Sequence, residues 1–265
     1  MATPGTVFQP DTLAGRRALV TGGSRGIGAE IVTTLASIGA EVRIASNDAE
    51  GMERVVRQVK EAGGTASAVF VDLADRSAVA DLAAANTDLD ILVNNAAPDQ
   101  KPIPFSATPD EVWDLHYTLN VFTPVSLIRT IAPAMAERGG GSVVCTSSIS
   151  THTPAPAIAP YASSKAAMET IIRVLAMEFG PRNVRCNAVA PSMTPTERIA
   201  GMLANPDFRA RAVSRVPLGR LCEPSDTAAA VAWLCSDAAP FVNGQVIVVD
   251  GGATAGLFMP MPTSS

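Results

Sequence analysis

The chain alternates two patterns. Short, almost continuous apolar runs are separated by longer stretches whose apolar residues recur every three or four positions. The runs predict strands at Arg17–Val20, Glu41–Ala45, Ala66–Val71, Asp90–Val93, Ser142–Thr146, Val184–Val189 and Gln245–Val249. The periodic stretches predict helices. Ile27, Ile31, Leu35 and Ile38 form one face that ends at Gly39, and Met52, Val55, Val56 and Val59 mark a helix over Ala49–Ala62. Further helices are expected at Arg76–Ala85, Pro109–Glu137, Tyr161–Phe179 and Ser225–Ser236, with Pro195–Ala212 irregular or helical. Pro124 and Pro133 imply a kink or break in the long one. Runs such as Ile91-Leu92-Val93 and Val246-Ile247-Val248-Val249 leave no polar face, which suits strands covered on both sides. Strand–helix alternation of this kind predicts an α/β fold: a doubly wound parallel sheet of about seven strands with helices on both faces.

The length of 265 residues suits one large domain of this type. The expected division is a flexible arm at 1–12, the sheet domain at 13–255 with a lid at about 190–215, and a tail at 256–265. A hydrophobic fraction of 47% supplies a sizeable core, yet no run approaches the ~18 apolar residues of a membrane span. The first fifteen residues have neither the charge nor the apolar stretch of a signal peptide or anchor. A net charge of −5 argues against nucleic acid as a partner. Cys145, Cys186, Cys222 and Cys235 are scattered, which reads as reduced buried thiols in a cytoplasmic protein, with no metal site.

Two motifs carry chemistry. The first predicted strand runs into Thr21-Gly22-Gly23-Ser24-Arg25-Gly26-Ile27-Gly28, which opens a helix. Strand, glycine-rich turn and helix together make a dinucleotide-phosphate cradle. Gly22 permits the sharp turn, Gly26 lets backbone approach a pyrophosphate, and Gly28 lets the helix lie close to the strand. The helix N-terminus offers free N–H groups to the phosphates. The second motif is Tyr161-Ala162-Ser163-Ser164-Lys165, with Ser148 thirteen residues upstream of the tyrosine. Positions i and i+4 share a helix face. A phenol of pKa ~10 is a poor proton donor and acceptor at neutral pH, and a fixed cation nearby favours its phenolate. That pair suits interconversion of a carbonyl and an alcohol. The glycine turn follows the first predicted strand, Asp72 the third, Asn94 the fourth, Ser148 the fifth and Pro191 to Thr196 the sixth, at the carboxyl ends where ligands of such sheets bind.

From about Leu13 to Gly252 the chain resembles the short-chain dehydrogenase/reductase family in its compact form. The motifs that carry the resemblance occur in order: Thr21 to Gly28, Asp72, Asn94-Asn95-Ala96, Asn120, Ser148, Tyr161 with Lys165, Pro191 to Thr196, and Asp250-Gly251-Gly252. The resemblance implies a Rossmann fold and an oxidoreductase that moves a hydride between nicotinamide and a ketone or secondary alcohol. Tyr161 would be the general acid or base, and Lys165 would tune it and hold the nicotinamide ribose. Ser148 would hold the substrate oxygen, and Asn120 a water linking Lys165 to solvent. The nucleotide would meet Gly22, Ser24, Arg25, Gly26, Ile27 and Gly28 at its phosphates, Asp72 and Leu73 at adenine, and Asn94 and Ala96 at adenosine. Pro191, Thr194 and Thr196 would meet the nicotinamide. A homotetramer or homodimer is implied, built through the long helices and last strand, with the apolar tail Leu257–Met261 as a further contact.

A carboxylate ending the second strand would select NAD(H) through the ribose hydroxyl. Ser46 and Asn47 stand there instead, and Arg25 can pair with a 2′-phosphate. NADP(H) is therefore the expected cofactor, and NAD(H) the alternative should Asp48 or Glu50 reach the ribose. Ala97 replaces the glycine usual in the family and Pro98 follows it, and the two should narrow the pocket. With Ser148, His152 and Met193 they are the candidate substrate contacts. The lid carries Met193, Ile199, Met202 and Leu203 and no arginine next to the motifs save near Arg198, which points to a small molecule with apolar surface. A 3-oxoacyl-thioester reductase is the alternative substrate class. A non-catalytic dinucleotide sensor should lack part of the Asn120, Ser148, Tyr161, Lys165 set, and all four are present. An enoyl reductase should space tyrosine and lysine more widely. His116, on one helix face with Trp113, Tyr117 and Asn120, reads as packing or a subunit contact.

Overall fold

A computed structural model of the chain describes residues 8–99, 101–197 and 199–256. Its strands are β1 (Arg17–Thr21), β2 (Glu41–Ser46), β3 (Thr65–Phe70), β4 (Ile91–Asn94), β5 (Gly141–Thr146), β6 (Val184–Pro191) and β7 (Val246–Val249). The helices are α1 (Gly26–Ser37), α2 (Ala49–Glu61), α3 (Arg76–Ala84), α4 (Asp110–Tyr117), α5 (Thr123–Glu137), α6 (Ala159–Phe179), α7 (Ala200–Leu203), α8 (Pro206–Ser214) and α9 (Pro224–Cys235). The strands form one parallel sheet in the order β3-β2-β1-β4-β5-β6-β7, a Rossmann-like doubly wound arrangement. The expected tail contact at Leu257–Met261, most of the N-terminal arm and Arg198 lie outside the described residues.

The apolar runs are explained by which neighbour each residue meets. Val20, Ile91, Val93 and Val144 face one core with Ile31, Leu35 and Val231 of α1 and α9. Their strand neighbours Leu19, Leu92, Val143 and Cys145 face the opposite core with Leu127, Ile131, Met168 and Ile172 of α5 and α6. Alternate positions point to opposite sides of a sheet, so covering both sides demands apolar residues at every position. Each fully buried leucine or isoleucine contributes about 1.5–3 kcal/mol, and both layers are needed to hold the strands in register.

The long predicted helix is divided. α4 and α5 are joined by a π-turn over Thr118–Phe122, in which the Thr123 N–H donates to the Thr118 carbonyl. Pro124, at the start of α5, supplies the cause: it has no N–H to donate to Asn120 four residues back, and its ring would clash with that carbonyl. Pro133 sits inside a continuous α5. The combined stretch Asp110–Glu137 holds an 18-residue window apolar enough to cross a membrane by composition, with a mean hydropathy of 1.2, but 50% of that window is buried within the protein. Leu127, Ile128, Ile131, Ala132 and Met135 spend that hydrophobicity on the core.

Candidate active site

After β3 the chain returns past β1 to begin β4 on its other side, opening a crevice between the carboxyl ends of β1 and β4. Gly22 turns there with φ +66°, and its N–H donates to Ala45 O at 2.8 Å. A Cβ on Gly22 would lie 2.8 Å from the Ala96 Cα. A Cβ on Gly28 would strike the Gly22 carbonyl oxygen and sit 2.5 Å from Asn95 Nδ2. The glycine spacing thus reflects helix-to-turn contact, as expected. Asn95, in the middle of the Asn94-Asn95-Ala96 motif, braces the crevice. Its Nδ2 donates to the carbonyls of Thr21 and Gly22, both at 3.2 Å, and Thr146 Oγ1 donates to its Oδ1 at 3.3 Å.

A cleft of about 580 Å³ opens beside Gly26, lined also by Pro195, Thr196, Ala200, Leu203 and Arg209. The Thr196 Cγ2 lies 3.0 Å from where a Cβ of Gly26 would be, so Thr196 overhangs the turn. Thr194 is buried and donates to Ser192 O at 3.0 Å. Pro191 ends β6, paired with Val249. Two buried polar groups at this edge lack good partners: the Asn94 side-chain amide, with only the weak thiol of Cys145 beside it, and Ser192 Oγ. An orphaned buried polar group costs about 1–3 kcal/mol. The open cradle at Gly26 and these orphans fit a bound dinucleotide. Asp72 is exposed beyond β3, its Oδ1 accepting the Ala74 N–H at 2.9 Å, and the Leu73 carbonyl accepts the Thr123 hydroxyl at 2.7 Å.

At the end of β2, Ser46 is buried with its Oγ 3.3 Å from Ser24 Oγ, and it accepts the Asp48 N–H at 3.2 Å. Asn47 beside it is exposed. Asp48 caps α2 by accepting the Gly51 N–H at 3.0 Å. That bond holds its carboxyl below the usual range against a burial penalty, helped by Ser24, Arg25 and Arg54. Arg25 is mostly exposed and reaches the Asp99 carboxylate at 3.7 Å. Arg54 was not among the expected residues, yet its Nη2 donates to the Ser24 carbonyl at 3.2 Å and so stands at the same corner. Its sequence signal is faint: an arginine on a helix rich in charge.

The catalytic candidates converge on α6. Tyr161 and Lys165 occupy successive turns, with Lys165 Nζ 5.9 Å from the Tyr161 ring centroid. Lys165 is buried, and its Nζ donates to the Thr146 carbonyl at 2.6 Å, anchoring it at the end of β5. Asn120, in the π-turn, donates from Nδ2 to Ser164 Oγ at 2.9 Å, and Ser164 donates to the Tyr161 carbonyl at 2.9 Å. Ser148 begins the short 3₁₀ turn Ile149–Thr151 and is 7% exposed, its Oγ accepting the Ser150 N–H at 3.1 Å. His116 is buried, its ring edge-on to Tyr161 at 5.9 Å and 76°, so it packs directly behind the candidate acid. Trp113 and Tyr117 continue an aromatic row with Phe105 and Phe122.

Among the candidate substrate contacts, Pro98 is buried, Ala97 and Met193 are half-buried, and His152 is exposed. The loop after β4 is tied to the approach to Tyr161 by the Ile103 N–H, which donates to Ala157 O at 2.9 Å. Ala157 adopts φ +67°, an uncommon conformation for a residue with a Cβ. Burial pushes the Cys145, Cys186 and Cys235 thiols up to about 12, and all four cysteines are free and buried. Asp250 follows β7; burial opposes its ionisation, but bonds from Thr254 and Gly252 prevail and hold its carboxyl low.

Residues 22–254 match the family model described as enoyl-(acyl carrier protein) reductase. The chain is 35% identical over 252 residues to the 7alpha-hydroxysteroid dehydrogenase of Escherichia coli K12, covering 93% of this chain and 98% of that protein. Among solved structures, a Beutenbergia cavernae protein assigned as an NAD(P)-dependent gluconate 5-dehydrogenase, with bound NADP, superposes with a TM-score of 0.89 at 36% identity, covering 93% of this chain and 100% of that one. A 3-oxoacyl (acyl-carrier-protein) reductase of Agrobacterium tumefaciens with NADP bound gives 0.87 at 32% identity, covering 93% and 96%. This chain belongs to the short-chain dehydrogenase/reductase family, oxidoreductases that act on CH–OH groups.

Proposed function

We propose that the protein interconverts a ketone and a secondary alcohol with Tyr161 as general acid or base and NADP(H) as the preferred cofactor. The observation that carries this reading is Tyr161 beside the buried Lys165 on α6, with Lys165 anchored to the end of β5 through the Thr146 carbonyl. A bound nicotinamide supplies or accepts the hydride. Gly22, Ser24, Gly26, Ile27 and Gly28 would hold its phosphates, Asp72, Leu73, Asn94 and Ala96 the adenosine side, and Pro191, Thr194 and Thr196 the nicotinamide side. Tyr161 gives its phenolic proton to the substrate oxygen in reduction and takes it back in oxidation. The Lys165 ammonium favours the phenolate that remains. Ser148 donates to the substrate oxygen and stabilises its developing charge. Asn120 fixes the backbone around Ser164 and holds the route by which Lys165 exchanges protons with solvent.

Support for NADP(H) comes from the 2′ corner. Ser46 replaces a carboxylate at the end of β2, Asp48 is committed to capping α2, and the Arg25 and Arg54 guanidiniums both act on it. Segment 190–215, with α7 and α8, serves as the lid over a small molecule with apolar surface, bordered by Ala97, Pro98, His152 and Met193. The resemblance to a hydroxysteroid dehydrogenase and to a 3-oxoacyl reductase brackets two substrate classes, a bulky alicyclic ketone and an acyl thioester. The four-residue Tyr161–Lys165 spacing favours carbonyl over enoyl reduction. Exposed Phe122, Val174, Met177, Val248 and Phe241 line the long helices and the β7 edge, which supports a homotetramer; a monomeric mass by light scattering would remove that part. The four buried free cysteines accord with a reducing cytoplasm.

The test is initial-rate absorbance near ~340 nm, the reduced-nicotinamide band. NADPH and NADH are compared across alicyclic ketones, diketones and 3-oxoacyl thioesters, with Tyr161→Phe in parallel. Turnover should fall by about 10²–10⁴ in Tyr161→Phe. Turnover that survives the substitution would overturn the assignment of the acid, and NADPH binding without any turnover would favour the sensor alternative.

A further inference from the structure

Glu169 is a buried carboxyl group that the mechanism above does not use. It lies on α6 one turn past Lys165 and is 5% exposed. Its Oε1 accepts a hydrogen bond from Ser147 Oγ at 2.5 Å and lies 2.8 Å from Thr151 Oγ1. Its Oε2 stands 3.9 Å from the half-exposed Arg173 guanidinium. The Thr151 hydroxyl is also 2.9 Å from the Ser148 carbonyl oxygen, so its proton is shared between two acceptors. Ser147 and Thr151 bracket Ser148 and its turn. The strand-side end of the same segment is held by Lys165 Nζ on the Thr146 carbonyl. Two side chains of α6, four residues apart, therefore clamp the Ser148 segment at Thr146, Ser147 and Thr151.

We infer that Glu169 is a positioning residue: it fixes Ser148 relative to Tyr161 by holding the hydroxyls on either side of it. The logic is geometric. Ser148 follows the end of β5, and among the described residues its hydroxyl bonds within its turn, to Ser150 N and Ser150 Oγ, while its carbonyl accepts from Thr151 of the same turn. Those local bonds shape the turn but do not place it against α6. The hydroxyl of Ser148 must meet the same substrate oxygen as Tyr161, and a displacement of about 1 Å in such a group can cost roughly 10²-fold in rate. A carboxylate taking two hydroxyl donors in a buried site makes short, strong, directional bonds. It is also expensive to bury there unless those bonds are made. The inference rests on the proposed role of Ser148.

Two experiments decide it. Hydrogen exchange followed by mass spectrometry on the full-length protein reads the segment without any substrate. Glu169→Ala should raise exchange at residues 147–153 and leave the Gly22–Gly28 segment unchanged, and Glu169→Gln, whose amide oxygen still accepts, should restore protection. Kinetics then ask whether Glu169 acts through Ser148. Glu169→Ala should lower kcat by about 10–100-fold, with KM and the NADPH dissociation constant from fluorescence within about twofold of wild type. In a Ser148→Ala background the same substitution should add less than about twofold, the non-additivity expected of residues that work as a unit. Unchanged exchange overturns the inference, and so does a full further loss in the Ser148→Ala background. If Glu169→Ala does not fold, Ser147→Ala and Thr151→Val remove the two donors singly, and each should give part of the same exchange and kcat change. Tyr161→Phe in the same assay separates the failures: if it retains turnover, the proposed function falls, while the exchange result still decides whether Glu169 holds the segment.

Discussion

The two corners of this site are built from different materials. The nucleotide corner, from β1 to the start of α1, is held by backbone and by missing side chains: Gly22 at φ +66° and Gly28 pressed against the Gly22 carbonyl. The catalytic corner, between β5 and α6, is held by side chains: Lys165 on Thr146, Asn120 on Ser164, Glu169 on Ser147 and Thr151. The first fails by steric exclusion when an atom is added. The second tolerates added atoms better but fails when a polar atom is removed and its partner is left buried and unsatisfied.

The largest expected effect follows from the steric side. Gly28→Ala should cost at least about 3 kcal/mol, because the new methyl meets backbone rather than a flexible side-chain end. For a chain of this size that is roughly a 6–12 °C fall in Tm. Gly201→Ala is the control: a Cβ there meets nothing within 4 Å, and alanine favours helix by about 1 kcal/mol. Equal melting temperatures for the two variants would show that the nucleotide corner is not sterically set.

A second, smaller effect separates charge from shape within the nucleotide corner. Arg54→Ala removes a guanidinium but leaves the glycine turn intact, since its bond to the Ser24 carbonyl can be replaced by water. The NADPH dissociation constant should rise about tenfold, or 1.4 kcal/mol, and that of NADH should stay within a factor of about two. Fluorescence titration measures both. A parallel weakening of the two cofactors would assign Arg54 to the turn's shape, not to the 2′-phosphate.

The same contrast explains what was legible in the sequence. The strand–helix alternation, the two-faced core and the glycine turn follow from local pattern, because a run such as Ile91-Leu92-Val93 is apolar for one reason only: both sides are covered. Tyr161, Lys165, Ser148 and Asn120 were legible because their spacing is short or matches a familiar motif order. The π-turn at Asn120 was expected only as a kink or break, although Pro124 was its visible cause. Arg54, Asn95, Glu169 and the packing of His116 on Tyr161 were not legible as site features. Each contact joins residues far apart in the chain or on a helix face whose orientation the sequence does not state. Arg54 meets Ser24 thirty positions away, and Glu169 meets Ser147 twenty-two away.

The smallest expected effect lies at α9, whose Pro224 lines the cleft beside Gly26. Here a side-chain cap stands within the backbone-built half. Asp226 accepts the Glu223 N–H at 2.7 Å, completing a reciprocal capping box, and pairs with both Arg220 Nη atoms at 2.6 and 2.8 Å. The Arg220 pairing outweighs burial and holds the Asp226 carboxyl below its ordinary value. A carboxyl lowered in the folded state stabilises fully above its unfolded pKa of ~3.9, and that stability is lost as pH falls through the folded value. The pair is partly exposed, with side chains 39% and 29% accessible, so solvent screening limits the contribution. Asp226→Asn should therefore cost about 1 kcal/mol or less near neutral pH. The Tm gap between wild type and Asp226→Asn should be constant from neutrality down to about pH 5 and close below about pH 4. A gap that persists unchanged into acid would assign the effect to the amide's poorer capping geometry instead of to charge, and the nucleotide half would then depend on shape at this position as well.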